Sequence, residues 1–254
     1  MEITFVQYLI VCPLLFLAGF IDSIAGGGGL ISLPAYLISG LGAHSAVATN
    51  KLSSTIGTSV STIRYIKEGY VEWKIAVICA LLAMTGSSIG SNLNLLVEDA
   101  ILKTIMLFLL PVTAFVVFRT KGFEAKQERS IDIRTYILAS VVAFVIGAYD
   151  GFYGPGTGTF LLICLTLVAG MNLKEANGIT KVINLSSNVA AMFVYLINGK
   201  TVIVLGLAAG LFNALGNYFG SKLFVKDGSK IVKPVMLIVL TVFFIKVLYE
   251  LIFK

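Results

Sequence analysis

Gly19-Phe20-Ile21-Asp22-Ser23-Ile24-Ala25-Gly26-Gly27-Gly28-Gly29-Leu30, with Ala46-Val47-Ala48-Thr49-Asn50-Lys51 downstream, organises this chain because an imperfect copy of it returns in the second half. Gly19, Asp22, Gly26 and Gly28 recur 128 positions later as Gly147, Asp150, Gly154 and Gly156. The register then shifts to 130, where Ala46, Lys51, Tyr65, Gly69, Gly86, Gly90 and Ser91 match Ala176, Lys181, Tyr195, Gly199, Gly216, Gly220 and Ser221. Matches at two nearly equal offsets point to duplication of the whole chain.

Around that stretch the composition is that of a membrane protein. Of 254 residues, 57% are hydrophobic and 13% charged, with a mean hydropathy of +0.95. A soluble domain carries roughly a quarter charged residues. Apolar runs near the length that crosses hydrocarbon, about 20 residues, leave no room for a separate soluble domain. In the first half they are Phe5 to Ser23, Ser45 to Ile66, Trp73 to Asn92 and Ala100 to Phe118. In the second they are Tyr136 to Tyr149, Ala176 to Ile197, Thr201 to Leu223 and Pro234 to Phe253. A shorter run follows each glycine loop, Leu30 to Leu41 and Thr159 to Val168. The net charge of +6 sits in short loops, so it reports on topology and the lipid surface and not on nucleic acid. The start, Met1-Glu2, has no basic n-region and is expected to belong to the mature fold. Cys12, Cys79 and Cys164 lie in separate apolar runs without CxxC spacing or a histidine cluster. They are expected to be small buried hydrophobes, with no metal and no cofactor.

The polar stretch from Arg119 to Arg134 is the natural joint, dividing a first transmembrane repeat (1–118) and a cytoplasmic connector (119–134) from a second repeat (135–254). Suppose each glycine loop joins two legs that return to their starting side. Then Arg64, Lys67, Lys74, the connector cations, Lys174, Lys222, Lys226, Lys230 and Lys233 share one face, leaving Lys103, Lys200, Lys246 and Lys254 on or near the other. The positive-inside rule prefers this arrangement. Each half then crosses an odd number of times, and the second enters the membrane upside down. The expected fold is an all-α polytopic bundle of two inverted repeats, each a glycine-broken helical hairpin plus three transmembrane helices, with both termini outside. Such repeats meet near the midplane and build transport sites from discontinuous helices.

The chemistry is therefore expected at the loops. Gly26, Gly27, Gly28 and Gly29 free backbone amides that need burial or a polar cavity. The helix that follows turns its positive end toward them, which makes an anion seat. Gly154, Gly156 and Thr157 offer the same from the second copy; close helix packing is the alternative for such glycines. No Gly-Lys-Ser/Thr follows either loop, which speaks against a nucleotide site. Lys51 lies about 9 Å into its helix. A charge at that depth costs at least about 2.5 kcal/mol and marks a functional position, unless the stem snorkels outward. Its recurrence as Lys181 favours anion attraction. Asn50, Ser53, Ser54, Thr58, Thr180, Asn184, Ser187 and Asn188 can face the same cavity, although many such hydroxyls bond back to their own helices. Asp22 and Asp150, just before each loop, read either as proton carriers for coupling or as caps accepting glycine amides. His44 is expected at an outer surface turn, and Trp73, Tyr70 and Tyr195 in an interfacial aromatic belt.

These motifs, Gly19-x-x-Asp22-x-x-x-Gly26-Gly27-Gly28-Gly29-x4-Pro34 and Ala46-x-Ala48-Thr49-Asn50-Lys51, resemble the TauE/SafE family of sulfite exporters and related organosulfur-anion permeases. The similarity spans nearly the whole chain. In the second copy Pro155 and Thr157 interrupt the glycine run, Leu162 stands in place of Pro34, and Ile179-Thr180 replaces Thr49-Asn50. The resemblance implies a multi-pass permease of the cell membrane that moves small sulfur-containing anions such as sulfite, sulfonates or thiosulfate. The reading is a secondary transporter with alternating access, binding substrate through Gly26 to Gly29, Asn50, Lys51, Ser54, Gly154, Gly156, Thr157, Thr180, Lys181 and Asn184, with a coupling proton or cation. A passive anion channel is the alternative. An intramembrane enzyme ranks last, since one histidine and no Ser/Asp arrangement of the catalytic kind are present.

Overall fold

The computed structural model describes residues 4–102, 104–105 and 132–227. The connector, the spans Ala100 to Phe118 and Pro234 to Phe253, and both chain ends therefore lie wholly or mostly outside the described residues. Within them the chain forms α1 (Phe5–Ala25), α2 (Gly29–Ile38), α3 (Ala43–Lys67), α4 (Trp73–Leu96), α5 (Ile133–Phe152), α6 (Thr157–Leu167), α7 (Leu173–Ile197) and α8 (Ile203–Asp227). No strand occurs among the described residues.

Five helices, α1, α4, α5, α7 and α8, are long and apolar enough to cross a membrane. Leu9, Leu17, Leu81, Val141, Leu211 and Leu215 stand exposed on the outer helices, as a lipid-facing surface requires. α3 has the length but is too polar to join that set. Its buried Thr49, Asn50, Lys51, Ser53 and Thr58 need protein around them, and it lies against α7 and α8 inside the bundle.

Each half opens with a helical hairpin. The legs α2 and α6 have 10 and 11 residues, about 15 Å of rise and half the hydrocarbon thickness. α2 folds back along α1, with Gly28 against Ala18 and the Gln7 side chain donating to the Ser39 carbonyl at 2.8 Å. In the second half Thr135 at the start of α5 donates to the Ala169 carbonyl beyond α6 at 3.2 Å. Both legs thus end beside the start of their partner. α6 begins at Thr157, two residues earlier than its apolar run.

The halves are interleaved, since α1 packs along α8 and α5 along α4. Gly86 and Gly90 lie against Phe144 and Ala148, and Gly147 and Gly151 against Ala83 and Ser87, so α4 and α5 run in the same direction. Gly216 against Phe16 and Gly220 against Phe20 give α1 and α8 the same relation. A Cβ on Gly90 would stand 1.9 Å from the Ala148 carbonyl oxygen, and one on Gly216 2.0 Å from that of Phe16. Small residues permit this backbone approach, as they do throughout membrane bundles. α3 also runs with α8: Gly206 meets Leu52, Gly210 meets Ile56, and Ser61 donates to Asn217 at 2.8 Å.

Matching turns close α3 and α7. Gly69 and Gly199 take left-handed φ of 72° and 63°, and the next amides reach back to the Tyr65 and Tyr195 carbonyls at 3.0 and 3.1 Å. This is the glycine stop in which the residue after the cap closes the last turn.

Two expectations are corrected. Tyr195 is not in an aromatic belt: it is fully buried and its hydroxyl donates to the Gly151 carbonyl at 2.9 Å, as its counterpart Tyr65 does to Ser23 at 2.7 Å. Each tyrosine pins a hairpin to a central helix. Trp73 is exposed and Tyr70 half-buried. His44 is not a surface side chain either. It is 11% exposed, with Nδ1 2.9 Å from Asp99 Oδ1 and Nε2 3.1 Å from the Asn94 carbonyl, because the start of α3 packs onto the end of α4. Cys12 and Cys79 are buried and Cys164 is half-buried, all as free thiols.

Candidate functional site

The two glycine breaks touch. The Thr159 amide donates to the Gly26 carbonyl at 3.2 Å, the Thr159 hydroxyl to the Ala25 carbonyl at 2.9 Å, and Gly29 abuts Pro155. Gly26 and Gly156, at φ of 78° and 80°, make the left-handed turns that end α1 and begin α6. The starts of both short helices therefore face a common centre.

At that centre lies a cavity of about 20 Å³, room for one water molecule. Gly28, Gly29, Gly154, Thr157 and Gly158 form its loop walls, while Asn50, Lys51, Ser54 and Thr58 come from α3 and Asn184 and Asn188 from α7. Asp22, Asp150, Ser32 and Asn213 complete it. Of the residues expected in the site or facing its cavity, Gly26, Gly27, Ser53, Gly156, Thr180, Lys181 and Ser187 do not line it. Gly26 and Gly156 shape the turns instead. Thr180 is buried with no partner on its hydroxyl, and Lys181 sits behind Asp22. Sequence reasoning missed Ser32 and Asn213.

Charge is arranged crosswise between the halves. Lys51 Nζ lies 2.8 Å from Asp150 Oδ1, and Lys181 Nζ lies 3.2 Å from Asp22 Oδ2 while also donating to the Asp22 carbonyl. All four residues are buried. An ammonium in low dielectric needs a compensating charge, and each lysine finds it on the other half's hairpin. The Asp22 and Asp150 carboxylates are thus directed at lysines; the amide of Gly26 is satisfied by the backbone carbonyl of Asp22, at 2.8 Å. Ser187 adds a hydrogen bond to Asp150 Oδ2 at 2.7 Å. Several other hydroxyls bond back one turn, including Thr55 to Lys51 and Ser186 to Val182.

Two converging helix starts, two lysines each paired with an aspartate, and uncharged amides and hydroxyls between them are the kinds of donor that can hold a small anion. Ser32 is 1% exposed and its hydroxyl has no partner, which leaves a donor open to a guest. Among the described residues no three His, Cys, Asp or Glu side chains gather as a metal site.

The chain matches the model of the family described as sulfite exporter TauE/SafE over residues 11–247. A probable membrane transporter protein, ORF9, of Sinorhizobium is 37% identical over 224 residues, 88% of this chain and 85% of that protein. The probable membrane transporter protein YfcA of Escherichia coli K12 is 32% identical over 257 residues, covering 97% and 94%. A probable membrane transporter protein of Haemophilus influenzae is 32% identical over 238 residues, covering 92% of each. No solved structure matches the chain. With the family pattern matched over residues 11–247, and relatives matched over 85% and 94% of their own lengths, the protein belongs to the TauE/SafE family of multi-pass membrane transporters.

Proposed function

We propose that this transporter moves a small sulfur-containing anion, of the sulfite, sulfonate or thiosulfate type, by alternating access about the cavity between its two glycine breaks. The observation that carries the proposal is the crossed arrangement of Lys51 with Asp150 and Lys181 with Asp22 around touching helix starts. It supplies paired cations that an oxyanion can claim from either half. We read the two halves as inverted, and the helix directions support that reading. α1 and α3 both run with α8, α5 runs with α4, and the turns at Gly69 and Gly199 reverse α3 into α4 and α7 into α8. Each helix then opposes its repeat counterpart, the geometry in which rocking of one half exposes a midplane site to either side. The charge bias of the loops supports a cytoplasmic connector. No ATP-binding motif stands in the sequence, so an ion gradient or the anion's own gradient drives the flux.

Space for a single water supports a carrier over a passive pore, because an anion of several heavy atoms fits only after side chains move apart. Flux of labelled sulfite and ethanesulfonate into proteoliposomes tests the proposal. Saturable uptake, accelerated by unlabelled anion on the far side, is expected. Unitary currents far above transporter turnover would make it a channel, and absence of flux for every small sulfur oxyanion would remove the substrate assignment.

A further inference from the structure

The two crossed ion pairs are related by the repeat but chemically unequal. Asp150 is held twice, by Lys51 at 2.8 Å and by the Ser187 hydroxyl at 2.7 Å, and its side chain is 3% exposed. The Asp22 carboxylate has Lys181 at 3.2 Å and is 13% exposed. The counterpart of Ser187, 130 residues earlier, is Gly57. A side chain there would displace Asn213, since a Cβ on Gly57 would stand 1.6 Å from Asn213 Oδ1.

Asn213 does not replace the missing hydroxyl. Its amide donates to the Leu15 carbonyl at 3.1 Å, and its oxygen accepts from Asn217 at 2.9 Å. The residues matching Asn213 and Ser32 in the other half are Ala83 and Phe160. The duplication has therefore diverged on both sides of Asp22, removing a donor from its carboxylate and adding the open Ser32 hydroxyl to the cavity beside it. The titratable groups facing Asp22 are Lys181 from α7 and Tyr65 from α3, whose hydroxyl is already given to the Ser23 carbonyl. α8 brings uncharged Asn213 and Asn217, α2 brings Gly28 and Ser32, and Lys51 with Asp150 lies across the cavity.

On the transport reading above, we propose that Asp22, not Asp150, is the carboxylate that exchanges with substrate: a proton from the open aqueous side bonds to the Asp22 carboxylate, and the anion takes its place against the Lys181 ammonium. For a monoanion the site holds one positive and one negative charge before and after, so anion and proton move together, one for one. Asp150, held by Lys51 and Ser187, does not exchange with substrate and serves to position Lys51.

Calorimetric binding of ethanesulfonate, a monoanion at any working pH, to purified protein from acid to alkaline buffer tests this. In the unaltered protein the apparent Kd should rise about tenfold per pH unit once Asp22 is ionised. Asp22→Asn should bind tightly with no pH slope, whereas Asp150→Asn should bind more weakly and keep the slope. The double variant Gly57→Ser, Asn213→Ala restores a donor to Asp22 and should shift the onset of binding to lower pH, because hydrogen bonding favours the charged carboxylate. A pH-independent Kd in the unaltered protein, an unchanged slope in Asp22→Asn, or a slope lost only in Asp150→Asn would overturn the assignment while leaving anion transport standing. Absence of binding to ethanesulfonate at every pH, together with no flux of any sulfur oxyanion, would overturn both.

Discussion

Lys51 is tolerated inside the bundle because Asp150 stands 2.8 Å away with both side chains almost wholly enclosed. Removing one member of such a pair strands the other, which costs about 3–5 kcal/mol, whereas removing both is often close to neutral. Lys51→Met should therefore lower the thermal unfolding temperature sharply in detergent, and Lys51→Met with Asp150→Asn should recover most of the loss. Additive destabilisation in the double variant would contradict the pairing. The individual charges were legible in the sequence, since a lysine and an aspartate deep in apolar runs stand out and both recur. Their pairing was not, because each half supplies a nearer Asp and Lys of its own, Asp22 with Lys51 and Asp150 with Lys181. Ser32 and Asn213 escaped for a related reason: their counterparts are Phe160 and Ala83, so a search for repeated polar positions passes over them. Which hydroxyls face the cavity was hidden too, since Ser53, Thr55 and Ser59 all donate to their own helix.

Among the elements, α3 depends most on its neighbours. It is long, polar and central, and its first turn is held by a residue outside it, Asp99, which accepts the Ala43 and His44 amides at 3.3 and 3.1 Å and meets the His44 ring. Burial works against ionisation of Asp99, but the His44 amide and ring and the Ala43 amide outweigh it and hold the carboxyl below the ordinary carboxylate range. A carboxylate depressed on folding contributes stability above its unfolded pKa and loses it as pH falls through the folded value. Asp99→Asn keeps a capping oxygen but removes the charge, and should thus lower stability at neutral pH by about 0.3–1 kcal/mol, the worth of an acidic group at a helix N-terminus. Its unfolding temperature should converge with that of the unaltered protein in acid below the Asp99 titration. An equal deficit at all pH values would show that charge plays no part. The glycine loops and the helix starts near Phe5 and Trp73 were legible as elements because glycine density and apolar length mark them. The contact of α3 with the end of α4 was not, because it joins residues from separate turns.

At the scale of the whole molecule, positions that match at the offsets of 128 and 130 make paired contacts: Tyr65 with Ser23 and Tyr195 with Gly151, Gly86 with Phe144 and Gly216 with Phe16. The exchange of first helices between halves was not legible, because the short-range pattern of a chain does not say which neighbour its outer helix will choose. The alternating access proposed here is built on inverted halves, and Glu68 and Asn198 report on that relation directly. They are repeat counterparts, both exposed, at the turns closing α3 and α7. With Cys12, Cys79 and Cys164 replaced by alanine, Glu68→Cys and Asn198→Cys are each labelled with a membrane-impermeant maleimide in sealed vesicles of known orientation. Inverted halves place the two cysteines on opposite sides of the membrane, Glu68→Cys on the cytoplasmic face; labelling of both from the same side would contradict the inversion and the transport mechanism built on it.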